Sequence, residues 1–412
     1  MNWRMRYGRN WGQLDMKYNV NIKKLSEVAD LTVGFVGSMA KHYVDEGVPF
    51  LRSTNIRRFK IDMSDIKYIS PEFNEKIKKS QLREGDVVIV RTGMPGACTV
   101  ILKEQEGWNC SDLVIIHPHK EKVLPLYIAA YVNYSTGIIN ANLVGAVQQH
   151  FNVGSAKNME IAVPSIEIQK KIVGIIQNIN GKLDINSRIN KNLEQQLSSI
   201  FANLFADHIS DASIETCPQL GSLISVIDNR GKTPPLTTET FDYPIIDVGV
   251  LKGSGRIIDF NNCTKYVDEN TYNMWFRSGH PQAWDILLST VGSLAEMKIY
   301  LGSKGCMAQN VVALRPVSIS PLYLYQYLKY IRSDLVAYNI GSVQPSIKVT
   351  HIIKHPIYIP DVTKLKLFEK SAKAITEQIY ANCNQNEILK DIRDALLPKL
   401  MSGELDVSNL DL

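Results

Sequence analysis

The sequence predicts an α+β protein in which two mixed α/β domains, repeated in tandem, are separated by two long antiparallel coiled-coil helices with pseudo-two-fold symmetry. Three observations predict this class: an internal repeat with an offset of about 195 residues, two stretches of matching heptads, and the composition of a globular chain. We expect a first globular domain at 1–164, a spacer helix at 165–208, a second globular domain at 209–360 and a C-terminal helical region at 361–412.

The repeat consists of short matching segments that keep one register along the chain. Gly85–Ile89 matches Trp284–Leu288, and Gly145–Gln148 matches Gly341–Gln344. The further matched pairs are Leu25–Val28 with Leu220–Leu223, Val48–Leu51 with Tyr243–Ile246, Pro125–Ile128 with Pro321–Leu324, and Ile161–Pro164 with Ile357–Pro360. The chain therefore contains two copies of one unit.

Within each copy, short apolar runs bounded by turn residues predict strands, and longer periodic runs predict helices. The predicted strands are Val87–Val90, Leu113–Ile116, Ile286–Leu288 and Val311–Leu314, and the predicted short helices are Tyr127–Tyr134 and Leu322–Ile331. The two globular parts end at Pro164 and Pro360, where long helical patterns begin.

Both long helical patterns are heptad repeats, running over Ile172–Leu204 and Phe368–Leu400. Asparagine occupies the central core positions of each, and these residues are Asn186, Asn190, Asn382 and Asn386. An antiparallel pairing brings the first two opposite the last two, so that the amides satisfy each other and fix the register. The alternative is that the asparagines face solvent on two unrelated helices. A strut of this length spans about 50 Å, which is enough to act as a ruler between DNA half-sites.

The composition indicates a soluble, ordered protein. Of the 412 residues, 45% are hydrophobic and 21% charged, which excludes disordered and collagen-like classes. No apolar stretch is long enough to cross a bilayer and the first residues do not form a secretory signal, so we expect a cytoplasmic protein. The six cysteines lie far apart, which favours ordinary thiols over a zinc site or disulfide framework. The net charge of +5 permits nucleic-acid binding without requiring it.

The sequence contains no catalytic motif. The run Thr233–Leu236 lacks the end residues of the tetrad used in base methylation. Gly231–Thr233 resembles the end of a phosphate-binding loop, but Val226 stands where that loop needs glycine. Asp361 and Lys364 form a fragment of a nuclease-like pattern, in which Asp361 is better interpreted as a helix cap. The histidines lack metal-ligand spacing, so we predict neither catalytic residues nor a metal site.

Basic and amide residues gather in the loops of both copies, where they could bind DNA. Arg and Lys would hold phosphates, while Arg and Gln can also pair with base edges. The candidate DNA-binding residues are Arg52, Arg57, Arg58, Lys60, Arg91, Thr92, Gln148 and Gln149 in the first copy, and Arg230, Lys232, Lys252, Arg256, Lys298, Gln344 and Lys348 in the second. For each residue taken alone, a solvated surface position is an equally good interpretation.

The run Arg393–Val407 resembles the terminal signature of the specificity subunits of type I restriction-modification systems, and Ser199–Phe205 is its degenerate partner in the first half. Asn229–Pro235 and Gly47–Ile56 are similar to the openings of that family's target recognition domains. The first copy departs from this pattern, because Val33–Ser38 stands where the second has Asn229–Pro235. Its phosphate contacts are therefore expected to differ.

The resemblance implies two target recognition domains, each reading one half of a split, asymmetric sequence in double-stranded DNA. It also implies a non-catalytic subunit that binds two methylation subunits, forming an adenine-N6 methyltransferase, and further restriction and translocase subunits. S-adenosylmethionine, ATP and Mg are then cofactors of the partner subunits. No cofactor is expected in this chain.

Two other functions are compatible with the residues. A structural adaptor would use its helices to bind proteins while its globular parts read no bases. A fused single-chain methyltransferase or nuclease would turn over without added subunits. Deletion of a DNA-reading subunit, unlike that of an adaptor, should erase a bipartite methylated motif from the genome.

Overall fold

The computed structural model of the protein describes residues 18–93, 95–141, 152–211, 216–229, 231, 233–302, 304–341 and 343–410. The chain divides into two compact units. The first unit comprises residues 1–183 and 388–412, and the second unit comprises residues 184–387. Each unit therefore combines one globular part with a segment of each long helix.

The first unit begins with strands and ends on helices. Its strands are β1 (Val20–Lys24), β2 (Ala29–Val33), β3 (Tyr43–Val44), β4 (Val48–Leu51), β5 (Ile56–Arg57), β6 (Lys60–Ile61), β7 (Lys67–Ile69), β8 (Val87–Val90), β9 (Cys98–Val100), β10 (Asn109–Cys110), β11 (Leu113–Pro118) and β12 (Glu160–Pro164). Its helices are α1 (Pro71–Lys76), α2 (Pro125–Ala141), α3 (Val153–Lys157) and the first part of α4 (Ile166–Asp211). Helix α1 begins where Ser70 caps the backbone N–H of Phe73 at 3.2 Å and Pro71 fixes the first turn.

The main sheet of the first unit has the antiparallel order β2-β11-β8-β9. Strand β8 is buried along its whole length, which explains its continuous apolar sequence. Val87 and Ile89 belong to the hydrophobic core that includes α2 and the long helices. Val88 and Val90 belong to a second hydrophobic core, which includes residues of the sheet of order β10-β4-β7-β3. The period of two thus places a core on each face of β8.

The second unit repeats this plan. Its strands are β13 (Ile224–Ile227), β14 (Tyr243–Ile246), β15 (Tyr266–Val267), β16 (Ile286–Ser289), β17 (Met297–Ile299), β18 (Cys306–Met307) and β19 (Val311–Pro316). Its helices are α5 (Val248–Leu251), α6 (Glu269–Trp275), α7 (Pro321–Tyr330), α8 (Arg332–Ala337), α9 (Val349–Lys354) and most of α10 (Val362–Met401). The order β13-β19-β16-β17 matches β2-β11-β8-β9, and β18-β14-β15 matches β10-β4-β7. The internal repeat predicted from sequence is confirmed by this shared strand order.

In the first unit, the two helix segments pack in opposite directions. Ile172 and Ile176 of α4 share a core with Leu397 and Leu400 of α10. Further along α4, the side-chain oxygen of Asn180 accepts a 3.2 Å hydrogen bond from Arg393. Residues further along α4 thus contact residues that come earlier in α10. The two segments are therefore antiparallel, as predicted.

In the second unit, four asparagines form two amide pairs across the helices. Asn186 Nδ2 donates to Asn386 Oδ1 at 2.9 Å, and Asn382 Nδ2 donates to Asn190 Oδ1 at 2.7 Å. These are the pairs that the antiparallel heptads predict. Because a shift of one turn would leave buried amides without partners, the pairs fix the helix register.

The long helices are not domains separate from the globular parts. The globular parts do end at Pro164 and just before Val362, close to the predicted boundaries. However, the segments 165–208 and 361–412 are each divided between the two units. The physical reason is that each core needs apolar helix residues, such as Ile172 in the first unit and Phe368 in the second, to cover its sheet and α2 or α7.

Candidate nucleic-acid interface

In the first unit, the turn between β8 and β9 carries Arg91 and Thr92. Thr92 Oγ1 donates a 2.6 Å hydrogen bond to one carboxylate oxygen of Asp112, and Arg91 Nη1 lies 3.4 Å from the other. Asp112 has a φ of +55°, a left-handed conformation uncommon for residues other than glycine. The carboxylate positions both side chains, and a DNA phosphate would have to compete with it for the guanidinium of Arg91.

The segment that follows β4 carries further basic residues that the sequence predicts to bind DNA. Arg52 pairs with Asp65 at 2.9 Å, and Arg57 pairs with Asp62 at 3.3 Å. The hydrogen bond from Arg52 is the largest cause holding the pKa of Asp65 below its usual value. Lys60 is exposed on β6. The arginines here are held and partly neutralised by neighbouring acids, and their role in DNA binding stays a prediction.

Arg58 contacts α10 within the first unit. Its Nη1 lies 3.0 Å from Asp394, and its Nη2 donates to the backbone carbonyl of Asn133 at 3.4 Å. Beside Asp394, the guanidinium of Arg393 lies over the ring of Phe59, 4.9 Å from its centroid. Arg58 and Asp394 are 41% and 40% exposed, respectively. Arg58 thus docks the β5–β6 turn on the helix while remaining open to solvent.

The prediction that Arg256 contacts DNA is wrong, because this residue is fully buried. Its Nε and Nη2 donate to the two carboxylate oxygens of Glu194 on α4 at 2.8 and 2.9 Å, and its Nη1 donates to Thr376 Oγ1 on α10 at 2.9 Å. Lys329 also reaches Glu194, at 2.9 Å. Burial acts to raise the pKa of Glu194, but the hydrogen bonds and charge of Arg256 outweigh it and hold that pKa below its usual value. Arg256 therefore fastens its globular part to both helices of the second unit.

Lys298 is likewise not a surface residue. It lies on β17, is 6% exposed, and donates a 2.6 Å hydrogen bond from Nζ to the carbonyl of Gly255. Burial lowers the pKa of this ammonium group. By holding the carbonyl just before Arg256, Lys298 supports the same buried network, and we withdraw it as a DNA contact.

The other candidates of the second unit lie at the surface or outside the described residues. Lys252, Gln344 and Lys348 are exposed and stay predictions. The candidates outside the described residues are Gln148, Gln149, Arg230 and Lys232.

Gln344 lies in a loop that is braced against the turn between β16 and β17. The N–H of Gly292 donates to the carbonyl of Pro345 at 2.9 Å, and the N–H of Ile347 donates to the carbonyl of Thr290 at 2.8 Å. These backbone bonds follow directly after Gln344 and its neighbour Val343, which is 97% exposed. The second unit thus presents a valine and a glutamine beside backbone groups that are held by hydrogen bonds.

Two features of the second unit were not predicted from the sequence. Glu194 gave no signal, because a single glutamate on a helix is ordinary and its partner lies 62 residues away. Val343 could have been found, because the matched segments Gly145–Gln148 and Gly341–Gln344 place Val-Gln at the same position in both copies.

Asp361 has the structural role that the sequence predicts. Its Oδ1 accepts hydrogen bonds from the N–H groups of Thr363 at 3.0 Å and Lys364 at 2.9 Å, which makes it the cap of α10. Within the described ranges, no cluster of three or more His, Cys, Asp or Glu side chains could hold a metal ion. In the same ranges, no helix has the length and apolarity needed to span a membrane.

Comparison with known proteins identifies relatives of one kind. Residues 18–195 match the family model described as "Type I restriction modification DNA specificity domain". The MjaIX specificity subunit of Methanocaldococcus jannaschii, a type I restriction enzyme component, is 23% identical over 95% of this chain and 94% of its own length. The HindI specificity subunit of Haemophilus influenzae is 22% identical over 84% of this chain and 90% of its own.

Among solved structures, the chain is similar to the type I restriction-modification S subunit from M. genitalium. The similarity covers 94% of this chain and 97% of that one, with 15% sequence identity and a TM-score of 0.48.

Proposed function

The chain belongs to the family of type I restriction-modification specificity subunits, and from this we propose that its two units each read one half of a bipartite, asymmetric sequence in double-stranded DNA. Subunits of this family are non-catalytic. The proposal therefore assigns DNA recognition to this chain and assigns methyl transfer and cleavage to its partners.

One observation carries the proposal: the two units share a scaffold but differ at its loops. The sheet orders β2-β11-β8-β9 and β13-β19-β16-β17 are the same. The turn after the second strand of this sheet in chain order differs, with Arg91 and Thr92 after β8 in the first unit and Thr290 and Val291 after β16 in the second. A duplicated scaffold with different loops is suited to reading two different base sequences, because loops determine binding while the scaffold positions them.

The exposed cations are suited to positioning a duplex rather than to reading it. Lys60, Lys252 and Lys348 are exposed lysines, and a lysine ammonium group binds phosphate as a point charge. Ion pairs such as that of Arg52 with Asp65 keep the remaining surface from being uniformly positive. We therefore expect moderate non-specific affinity and a strong dependence of binding on salt.

We further propose that the chain binds two methylation subunits and, in the complete enzyme, restriction and translocase subunits. The family supports an association with such partners in general, and the number and identity of the subunits are part of the proposal. S-adenosylmethionine, ATP and Mg would be held by those partners.

Gel-shift titration of the full chain with its methylation subunits tests the proposal. Binding to a duplex carrying the genomic methylated motif should weaken steeply between 50 and 200 mM salt, by about 10³-fold or more for six or more phosphate contacts. Deleting the gene should erase one bipartite motif from the methylome. Loss of no motif, together with salt-independent or absent DNA binding, would refute DNA reading and favour the adaptor.

A further inference from the structure

We propose that the loop carrying Val343 and Gln344 reads an A·T base pair, with Gln344 bound to the adenine and Val343 packed on a neighbouring thymine methyl group. The inference rests on the proposed function, since it requires that the second unit meets duplex DNA. It adds the base pair that is read and the side chains that read it.

Hydrogen bonds connect the two ends of the loop. Asn339 Oδ1 accepts hydrogen bonds from the N–H groups of Gly341 at 3.0 Å and Ser346 at 2.9 Å, so one side chain ties both ends of the loop together. The N–H of Ile340 donates to the carbonyl of Ser346 at 3.0 Å. Together with the bonds to the β16–β17 turn, these contacts mean that binding costs little backbone ordering.

Glycine is required at the start of this loop. A Cβ atom on Gly341 would lie 1.8 Å from the carbonyl oxygen of Gln344, which no side chain could tolerate. The close approach of these two backbone groups folds the loop sharply, with Val343 and Gln344 at its surface. Val343 is 97% exposed, and Gln344 is also exposed.

The chemistry of the two exposed side chains points to one kind of base pair. A glutamine amide can bind adenine through N6 and N7 together, and an apolar group makes a favourable contact with the C5-methyl group of thymine. Both preferences select A·T over G·C in the major groove. An almost fully exposed valine contributes nothing to the core of the unit, so its apolar surface is available for such a contact.

The two copies carry the same two residue types at this position of the sequence. Val147 and Gln148 occupy the matching positions in the first copy, although they lie outside the described residues. The β8–β9 and β16–β17 turns, in contrast, differ in sequence between the copies. The two units would read different base sequences, so residue types that are the same in both are suited to a base pair that both half-sites share. We assign that base pair as A·T.

Modified bases test each contact separately. The full chain with its methylation subunits would be titrated against duplexes that carry the mapped motif, with one A·T pair altered at a time. Replacing adenine by 7-deazaadenine removes N7, and replacing thymine by uracil removes the methyl group. We expect one position at which 7-deazaadenine weakens the wild type by about 5-fold or more but leaves Gln344→Ala unaffected. At the same step, uracil should weaken the wild type but not Val343→Ala.

Two control variants separate this result from general effects. Val317→Ala alters another exposed valine, 70% exposed, and should behave like the wild type on every duplex. Lys348→Ala should weaken binding equally on all duplexes, as loss of a phosphate contact does.

Equal weakening of all duplexes by Gln344→Ala, or no weakening of any, would overturn base reading by this loop while leaving the proposed function intact. Absence of DNA binding by the wild-type complex would overturn both.

Discussion

Both units dock an arginine on their helix segments, but the two contacts are built in opposite ways. In the first unit, Arg58 pairs with Asp394 at 3.0 Å, with about 40% of each side chain exposed, and Asp394 also pairs with Arg393 at 3.1 Å. In the second unit, Arg256 is fully buried and binds Glu194 through two nitrogens and Thr376 through a third. A basic residue in a loop of a globular part can therefore contact the helices instead of DNA.

The difference matters for stability as well as for function. An exposed ion pair contributes only about 0 to 1 kcal/mol, because water and salt screen its charges. A buried pair is different, since removing one partner leaves an uncompensated charge in a medium of low dielectric. Loss of the arginine–carboxylate pair should therefore cost little stability in the first unit and much more in the second.

The largest effect is expected from Glu194→Leu, which leaves the Arg256 guanidinium buried without its carboxylate. We expect the free energy of unfolding of the second unit to fall by about 3–5 kcal/mol. Guanidinium-induced unfolding, with hydrogen exchange to locate the loss, would measure it. The double variant Glu194→Leu/Arg256→Met should recover most of the loss, because it removes both charges. A cost below about 1 kcal/mol for the single change would contradict the comparison.

The second prediction compares the starts of the two long helices. Gln169 is fully buried in the first unit, where Oε1 accepts from the N–H of Leu124 at 2.9 Å and Nε2 donates to the carbonyls of Lys122 and Pro164 at 3.1 and 2.9 Å. The matching residue of the second unit is Leu365, beside a surface cavity of about 260 Å³.

Gln169→Leu should therefore lower the free energy of unfolding of the first unit by about 1–3 kcal/mol, because it leaves buried backbone groups unpaired. The matched variant Leu365→Gln should change the second unit by less than about 1 kcal/mol, since new hydrogen bonds offset lost apolar contact. Thermal unfolding of both variants measures the difference. Equal effects in the two units would show that the three hydrogen bonds of Gln169 are not what distinguishes them.

Acid should weaken the buried pair of the second unit. The pKa of Glu194 is lowered in the folded state, so its contribution to stability is complete above its usual value of 4.5 and is lost as the pH falls below that value. The stability advantage of the wild type over Glu194→Leu/Arg256→Met should decline below this pH by up to about 1.4 kcal/mol per pH unit. Unfolding titrations of both proteins at a series of pH values test this. A difference that stays constant down to strongly acidic pH would mean that Glu194 is not the titrating group.

The smallest effect is expected from Arg58→Ala in the first unit. Its cost should be at most about 1 kcal/mol and should shrink as salt is added, because the pair with Asp394 is exposed. Unfolding at low and high salt provides the measurement. If Arg58→Ala proved as costly as Glu194→Leu, exposure would not explain the difference between the two docking contacts.

The parts of the fold that could be predicted are those with local or periodic signals. The run Val87–Val90 was predictable as a strand because all four residues are apolar and turn residues bound the run, and β8 has these same bounds. The asparagine pairs were predictable because heptad spacing sets both the helix face and the register. The division of each long helix between two cores was not predictable, because no local sequence pattern indicates which sheet a helix face covers.

The binding surface was less predictable for a related reason. Composition identifies Arg256 and Lys298 as basic but says nothing of whether they are buried, and their partners Glu194 and Gly255 emerge only in three dimensions. Exposure separates them from Lys252 and Lys348, which look the same in sequence. What the repeat could have indicated is Val343, because Val-Gln recurs at the matching sequence position of both copies.

The interleaving of the chain has a consequence for biosynthesis. The second unit, residues 184–387, is one continuous stretch and can reach its native state while the ribosome is still translating. The first unit must wait, because Leu397, Leu400 and Val407 complete its core and are made last. The sheet of the first unit is translated first, but its hydrophobic core is completed last. The apolar face of this sheet must therefore be protected from aggregation while the whole of the second unit is synthesised.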